Sequence, residues 1–245
     1  MRKMLSALAV VGLVAASPAG AQAQNLLANG NLDVTYQQEI VPGFFLPKPA
    51  NWVNEGFRTI TGPYEDELSS EPWAGPAPTP VTFDGVNADD WGVFFKAFSG
   101  NTANGPATGH LYQDVPATPG LTYILSGWAG GEANVLMGDA QLAVEFLDAG
   151  GGPVAGGSVL SLLPTLTLPN GEAFNYKQYT VSALAPPGAA QVRARVSMID
   201  GIPNPAGGGQ AFVVDDFVLR GVPEPSSAGL ALLGLAALVR RRSRR

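Results

Sequence analysis

The chain contains no cysteine and only one histidine among its 245 residues. Without cysteine it can form no disulfide, no thiolate metal site and no cysteine nucleophile, so a folded domain must be held by its core or by a metal ion. The single histidine, His110, excludes zinc sites built from several histidines and leaves one candidate base for a Ser-His-Asp arrangement. The sequence also lacks G-x-S-x-G, H-E-x-x-H and phosphate-loop motifs. We therefore predict that the protein is not an enzyme.

Positive charge is scarce between the two ends of the chain. Seven of the 14 Lys and Arg residues lie in residues 1–23 and 222–245, which leaves seven against 19 acidic residues in residues 24–222, a net charge of −12. Such a field repels phosphate backbones, so we predict no nucleic-acid partner. Cations, neutral sugars and basic partners remain open.

The first 23 residues have the composition of a cleaved secretion signal. Arg2 and Lys3 precede an apolar run, residues 4–16, and the small-x-small pattern Ala21-Gln22-Ala23 follows. This order predicts a signal peptide, helical in its apolar part, that signal peptidase cuts after Ala23.

Residues 222–245 combine three features in a fixed order. Pro223, Glu224 and Pro225 are followed by an apolar run, residues 228–239, and then by five arginines in the last six residues. Such a tail cannot be desolvated in a core but suits the cytoplasmic side of a membrane, so we expect an apolar anchor helix and export of everything before it.

The same order resembles the PEP-CTERM sorting signal of Gram-negative bacteria that make exopolysaccharide. The resemblance implies that an exosortase recognises Pro223, Glu224 and Pro225, cuts near them, and releases or transfers the protein from the inner membrane to the cell surface or exterior. A plain membrane anchor that is never processed is the alternative.

Between these ends, 31 glycines and 21 prolines in the whole chain fall mostly in clusters between short apolar runs, which is typical of an all-β protein. Leu142, Val144 and Phe146 alternate with Gln141 and Glu145, as expected for a half-buried strand. Short strands are predicted near residues 25–33, 57–60, 81–83, 91–98, 110–115, 121–128, 141–148, 160–168, 176–183, 192–199 and 211–219, with loops at 62–80 and 149–157. We predict one β-sandwich domain over residues 24–221.

Four segments of this domain resemble the galactose-binding-like jelly rolls, which include several families of carbohydrate-binding modules. The segments are residues 25–33 (NLLANGNLD), 113–128, 179–189 and 214–219 (VDDFVL). The resemblance implies a single jelly-roll β-sandwich with one structural calcium ion at its edge, held by Asp33, Asp216 and the backbone near Gly30. Alternatively, Asp33 caps a turn, and whichever of Asp215 and Asp216 points inward bonds to backbone amides or an arginine.

Saccharide binding requires exposed aromatic rings that stack on sugar rings. Trp52, Trp73, Trp91 and Tyr176 lie in loops or at strand ends and are the predicted ligand-binding residues. The alternative for each ring is local packing, and Trp128 is predicted to lie in the core.

The sequence thus predicts an exported, exosortase-processed, non-enzymatic protein of the cell surface or extracellular matrix that binds or organises polysaccharide. A structural or adhesive matrix protein with the same fold and no saccharide site is the alternative. A glycoside hydrolase is a minor alternative, with Glu145 or Asp139 as a possible partner in a carboxylate pair.

Overall fold

The computed structural model describes residues 24–63, 67–72, 91–97, 104–166 and 176–223. Within them the chain forms thirteen strands: β1 (Thr35–Val41), β2 (Phe44–Pro49), β3 (Val53–Arg58), β4 (Gly62–Pro63), β5 (Leu68–Pro72), β6 (Trp91–Phe95), β7 (Ala107–Pro116), β8 (Leu121–Gly131), β9 (Asp139–Leu147), β10 (Pro153–Ser161), β11 (Lys177–Leu184), β12 (Gln191–Gly201) and β13 (Phe212–Pro223). A 3-10 turn, Leu163–Thr165, follows β10. None of the described residues forms a helix long and apolar enough to span a membrane.

The strands form two large antiparallel sheets and one hairpin. The six-stranded sheet has the order β10-β9-β12-β7-β3-β4, the five-stranded sheet has the order β11-β8-β13-β6-β5, and β1 pairs with β2. This arrangement confirms the predicted all-β sandwich. The finer assignment to the galactose-binding-like jelly rolls stays a prediction.

Alternating side chains of β12 show how the core forms. Val192, Ala194, Val196 and Met198 are at most 1% exposed and pack between the two sheets. Because successive side chains of a strand point to opposite faces, the polar residues between them project from the other side of the sheet. The predicted alternation of this strand is confirmed, and it generates one polar sheet face.

The predicted first strand, residues 25–33, is wrong. The Asn25 side chain donates from Nδ2 to the carbonyl of Phe217 at 2.8 Å, and its Oδ1 accepts from the amide of Leu219 at 2.9 Å. This side chain satisfies backbone groups that a paired strand would otherwise satisfy. The expected Asn-Gly turn is present, with Asn29 at a φ of 51°.

Four segments without a predicted strand do form strands, and one of them is the two-residue β4 at the start of the predicted loop 62–80. The hairpin β1-β2 occupies the proline-rich stretch, and β5 lies at the edge of its sheet inside the predicted long loop, where a proline is tolerated. Strand β10 begins inside the predicted loop 149–157 and ends at Ser161, so the strand predicted at 160–168 is misplaced. A turn explains the early start, because Asp148 Oδ1 accepts from the amides of Gly150 and Gly152, both at 2.8 Å. The predicted strand at residues 81–83 lies outside the described residues.

A bulge in β13 determines which of its two adjacent aspartates is buried. The register of β13 against β8 shifts between Asp215 and Val218, and Asp216 adopts a left-handed φ of 50°. The extra residue lets Val214 and Phe217 both face the core, which strict alternation would forbid. Asp215 is the buried member of the pair, with 3% exposure.

Candidate functional site

The outer face of the six-stranded sheet, called the open face below, carries a depression of about 420 Å³. Its lining residues belong to four adjacent strands, β3, β7, β12 and β9, and are Glu55, His110, Tyr112, Gln141, Glu145, Arg193, Arg195 and Ile199. Seven of these eight side chains carry hydrogen-bonding groups that alternate with core residues along their strands. The fold therefore places a continuous polar surface on one side of the sandwich.

Two bidentate ion pairs order this surface. Arg193 Nε and Nη2 donate to the two carboxylate oxygens of Asp114 at 2.7 and 2.8 Å. Arg195 Nε and Nη2 donate to the two oxygens of Glu145 at 3.1 and 2.7 Å. Both pairs join neighbouring strands, and a planar guanidinium fixed at two points has little freedom to rotate. The hydrogen bond to Asp114 is the main cause that raises the pKa of Arg193 above its ordinary value.

Tyr112 lies beneath this layer and links it to β3. The guanidinium carbon of Arg193 stands 3.7 Å from the centre of the Tyr112 ring, and the Tyr112 hydroxyl donates to Glu55 Oε1 at 2.7 Å. Burial first, and then the hydrogen bond to Glu55, raise the pKa of Tyr112 to about 12. Tyr112 therefore remains a neutral donor to the Glu55 carboxylate through the physiological pH range.

A chain of hydrogen bonds sets the orientation of His110. Arg195 Nη1 donates to Ser197 Oγ at 2.6 Å, and Ser197 Oγ lies 2.7 Å from His110 Nδ1. Because the hydroxyl accepts from the guanidinium, its own proton is free to bond to Nδ1, which assigns the remaining ring proton to Nε2. Burial, and then the charge of Arg195, lower the pKa of His110. The neutral imidazole thus offers an N–H donor on the open face.

This arrangement does not resemble a hydrolytic centre. Ser197 has 0% exposure, so its oxygen cannot reach a substrate. Glu55 and Glu145 lie three strand spacings apart in the sheet order, which separates their backbones by about 14 Å. Asp139 and Glu145 are six positions apart on β9, or about 20 Å along the strand. The carboxyl groups of a glycosidase pair are at most about 9.5 Å apart, so neither pair supports the glycosidase alternative.

Of the predicted aromatic residues, the three that the structure describes, Trp52, Trp91 and Tyr176, do not line the depression. Trp52 is 6% exposed, packs in the core at 5.4 Å from Phe217, and donates from Nε1 to the carbonyl of Asn29 at 2.9 Å. Its ring therefore has no free face for a sugar, in contrast to the prediction. Trp91 is half-buried at the start of β6, and Trp73 lies outside the described residues.

Tyr176 is also buried, with 6% exposure, but it lies on the outer side of the five-stranded sheet. It packs there in a small cluster with Phe94 and Val213. Trp128, predicted to lie in the core, is half-buried against the same cluster. Tyr176 is therefore buried rather than exposed, and Trp128 lies outside the main core, because each outer face of a sandwich can carry its own apolar patch.

The three residues of the predicted calcium site do lie in neighbouring segments. The carbonyl of Gly30 accepts from the amide of Phe217, the residue after Asp216, at 2.6 Å. Asp33 accepts at Oδ1 from the amide of Trp91 at 3.0 Å and at Oδ2 from the side chain of Asn31. These hard oxygens suit calcium in chemical type, but a bound ion would have to share or replace these hydrogen bonds. No group of three His, Asp or Glu side chains suited to a metal occurs in the described part of the chain.

The residues that line the depression were not predicted as a site, although the alternation of polar and apolar residues in two strands placed some of them on a common face. The alternation of β12 places Arg193 and Arg195 on one face, and the alternation of β9 does the same for Gln141 and Glu145. The sequence does not show that β12 pairs with both β9 and β7, and only this pairing brings the polar rows together. Glu55 was missed because β3 was predicted to begin at residue 57 rather than at Val53.

No family model matches the sequence, and no curated protein does either. Among solved structures, the enzymatically active domain of tailspike protein 4 from bacteriophage CBA120 is similar over 81% of this chain and 21% of that chain, with 15% identity and a TM-score of 0.47. The chain therefore spans about a fifth of the tailspike chain. The module TmCBM61 in complex with beta-1,4-galactotriose is similar over 81% of this chain and 99% of that chain, with 15% identity and a TM-score of 0.44. The CBM22-1 xylan-binding domain of Paenibacillus barcinonensis Xyn10C is similar over 71% and 86%, with 10% identity and a TM-score of 0.36. Several structural neighbours are thus carbohydrate-binding modules, but likenesses this distant carry no argument about what this chain binds.

Proposed function

We propose that this protein binds polysaccharide on the open face and has no enzymatic activity. The observation that carries the proposal is a depression lined by polar side chains of four adjacent strands, held in fixed orientations by two bidentate ion pairs. Sugar hydroxyls both donate and accept hydrogen bonds, and pre-oriented guanidinium, carboxylate, amide and imidazole groups offer both roles. Groups that are already ordered lose little further entropy when a ligand arrives.

The binding test uses two ligand-facing side chains and one matched control. His110→Ala and Gln141→Ala each remove a hydrogen-bonding group from the depression, whereas Thr180→Ala changes an exposed residue on the outer side of the other sheet. We expect each open-face variant to weaken binding of a polysaccharide by about five- to tenfold, since a hydrogen bond contributes about 1 kcal/mol. Isothermal titration calorimetry against a panel of bacterial polysaccharides measures the dissociation constants. The proposal fails if the wild-type protein binds none of them, or if Thr180→Ala weakens binding as much as the other two.

The destination of the protein is a second part of the proposal. It is exported after cleavage behind Ala23, held at the inner membrane by residues 228–239, and then processed by an exosortase at Pro223, Glu224 and Pro225. The order of motif, apolar run and arginine tail supports this route. Mass spectrometry of the secreted protein, from a host with and without its exosortase, should show a shortened C-terminus only when the enzyme is present. A Glu224→Ala variant should remain in the membrane fraction, and unchanged secretion of that variant contradicts the proposal.

Exposed apolar residues on the hairpin β1-β2 favour the alternative of a structural or adhesive matrix protein. Val41, Phe44 and Phe45 are 54%, 47% and 50% exposed, and self-association would bury such a surface. In that case analytical ultracentrifugation shows a concentration-dependent oligomer that Phe45→Ser dissociates, with no binding of any polysaccharide. A monomer that binds polysaccharide excludes this alternative.

A further inference from the structure

The charges of the open face do not balance. Three carboxylates, Glu55, Asp114 and Glu145, line the depression or pair with its two guanidinium groups, Arg193 and Arg195. The carboxylate of Asp139 lies farther along β9, outside the lining, and accepts from the side chains of Gln141 and Ser161. Each guanidinium is held at two points by one carboxylate. Each positive charge is therefore already neutralised by a carboxylate of the protein.

Glu55 carries the remaining negative charge. Its side chain is exposed, it accepts a hydrogen bond from the neutral Tyr112 hydroxyl, and no cationic group of the described residues forms an ion pair with it. His110, which lies opposite Glu55 in the register of β3 and β7, stays neutral near pH 7. The lining of the depression, together with the Asp114 carboxylate that pairs with Arg193, thus has a net charge of about −1, located at Glu55.

This charge discriminates between classes of saccharide. A uronic acid or sulfated sugar has to approach an uncompensated carboxylate, and each guanidinium that it could contact is already neutralised by a carboxylate of the protein. A neutral sugar gains hydrogen bonds but no ion pair. A sugar that carries a protonated amino group gains a charge-assisted bond to Glu55, and the net charge of −12 over residues 24–222 draws cations toward the protein.

We propose that the open face selects amino sugars, with the Glu55 carboxylate as the site that holds the ammonium group. Tyr112 is the positioning residue, because its hydroxyl fixes one carboxylate oxygen and leaves the other free for the ligand. This inference rests on the proposed function, since it names the saccharide class for the same surface.

The test compares three oligosaccharides of equal length at pH 7 and low ionic strength: β-1,4-linked glucosamine, its N-acetylated form and a β-1,4-linked uronic acid. We expect the purified full-length protein to bind the glucosamine oligomer about tenfold more tightly than the N-acetylated oligomer, because only the ammonium group adds an electrostatic attraction to the Glu55 carboxylate. The uronic acid oligomer should bind most weakly. Raised salt should reduce the preference.

Glu55→Gln removes the charge and keeps an acceptor for the Tyr112 hydroxyl. It should abolish the tenfold preference, because the glucosamine oligomer loses an ion pair and therefore loses more affinity than the N-acetylated oligomer. Glu39→Gln is the matched control, because it makes the same charge change on β1, keeps the acceptor for the Gly43 amide, and lies outside the open face. Tyr112→Phe is a second variant, expected to reduce the preference without abolishing it.

The outcomes separate this inference from the proposed function. If no oligosaccharide or polysaccharide binds the wild-type protein, the proposed function fails. If polysaccharide binds and His110→Ala weakens it, but amino sugars are not preferred or Glu55→Gln retains the preference, only the amino-sugar inference is overturned. Equally tight binding of a lysine oligomer would show that the ammonium alone is recognised, and would also overturn it.

Discussion

Tyr112 provides the most direct test of the geometry of single residues. Its pKa of about 12, against an ordinary value of 10.0, comes first from burial and then from the bond to Glu55. A difference absorbance titration between the wild-type protein and Tyr112→Phe should show this high pKa, and Glu55→Gln should lower it without bringing it down to 10.0. Because the pKa is raised by folding, the stabilisation is present below pH 10 and is lost as pH rises toward 12. A pKa of 10 for Tyr112 would contradict the described contacts.

His110 offers a second test, since it is the only histidine of the chain. Burial and then Arg195 lower its pKa from 6.5. Above pH 6.5 the imidazole is neutral in both states, and as pH falls through the folded-state pKa the unfolded chain takes up the proton first, so the unfolding free energy decreases. We expect a proton NMR titration to give a pKa below 6.5. Arg195→Gln should raise this pKa, whereas Arg220→Gln, an exposed site on β13, should leave it unchanged.

At the scale of residues, the sequence predicted which strand positions are polar better than it predicted which aromatic rings are exposed. Trp52 and Tyr176 were candidate platforms because they lie beside loops, yet each packs against a partner far away in the chain, Phe217 and Phe94 respectively. Such long-range contacts leave no local pattern in one sequence.

At the scale of secondary-structure elements, the contact between β8 and β13 leaves no room for a side chain at one glycine, Gly127. A Cβ on Gly127 would lie 2.3 Å from Cδ1 of the buried Phe217 ring, whereas a Cβ on Gly130 of the same strand would lie 3.6 Å from its nearest neighbour. We expect Gly127→Ala to lower the unfolding free energy by about 2–3 kcal/mol, because a crowded core must shift to admit the methyl group. Gly130→Ala, the control, should change it by less than about 1 kcal/mol. Urea unfolding followed by tryptophan fluorescence measures both, and equal effects would argue against this packing.

Strand prediction succeeded where apolar and polar residues alternate, as in β9 and β12, and failed where side chains replace backbone pairing. Asn25 bonds to the backbone of β13 and so prevents residues 25–33 from forming a regular strand. Asp148 closes a turn so tightly that β10 begins at Pro153, within a glycine-rich stretch that resembles a loop. The all-β class followed from composition and alternation, whereas the strand order that creates the open face depends on pairing between distant segments.

For the whole molecule, calcium remains a prediction that a thermal melt can test. If the edge site of Asp33, Asp216 and Gly30 binds calcium only when folded, a concentration of 100 times the dissociation constant adds about 2.7 kcal/mol to the unfolding free energy. The melting temperature should then rise with calcium, fall with a chelator, and respond to neither in Asp33→Asn. Asp148→Asn serves as a control on a distant turn. An unchanged melting temperature in calcium would contradict the predicted calcium site.

The bonds between Asn25 and β13 also determine where the polypeptide could be cut and rejoined. Leu26 donates to the carbonyl of Leu219 at 2.9 Å, so the start of the sandwich lies beside its last strand. A flexible linker of about ten residues, spanning roughly 17 Å, could join Pro223 to Gln24. New ends opened at Gly151, an exposed turn position with no atom near its missing Cβ, would interrupt one hairpin and no core contact. The sandwich should therefore tolerate circular permutation there, which would show that the order of its strands along the chain is not required for the fold.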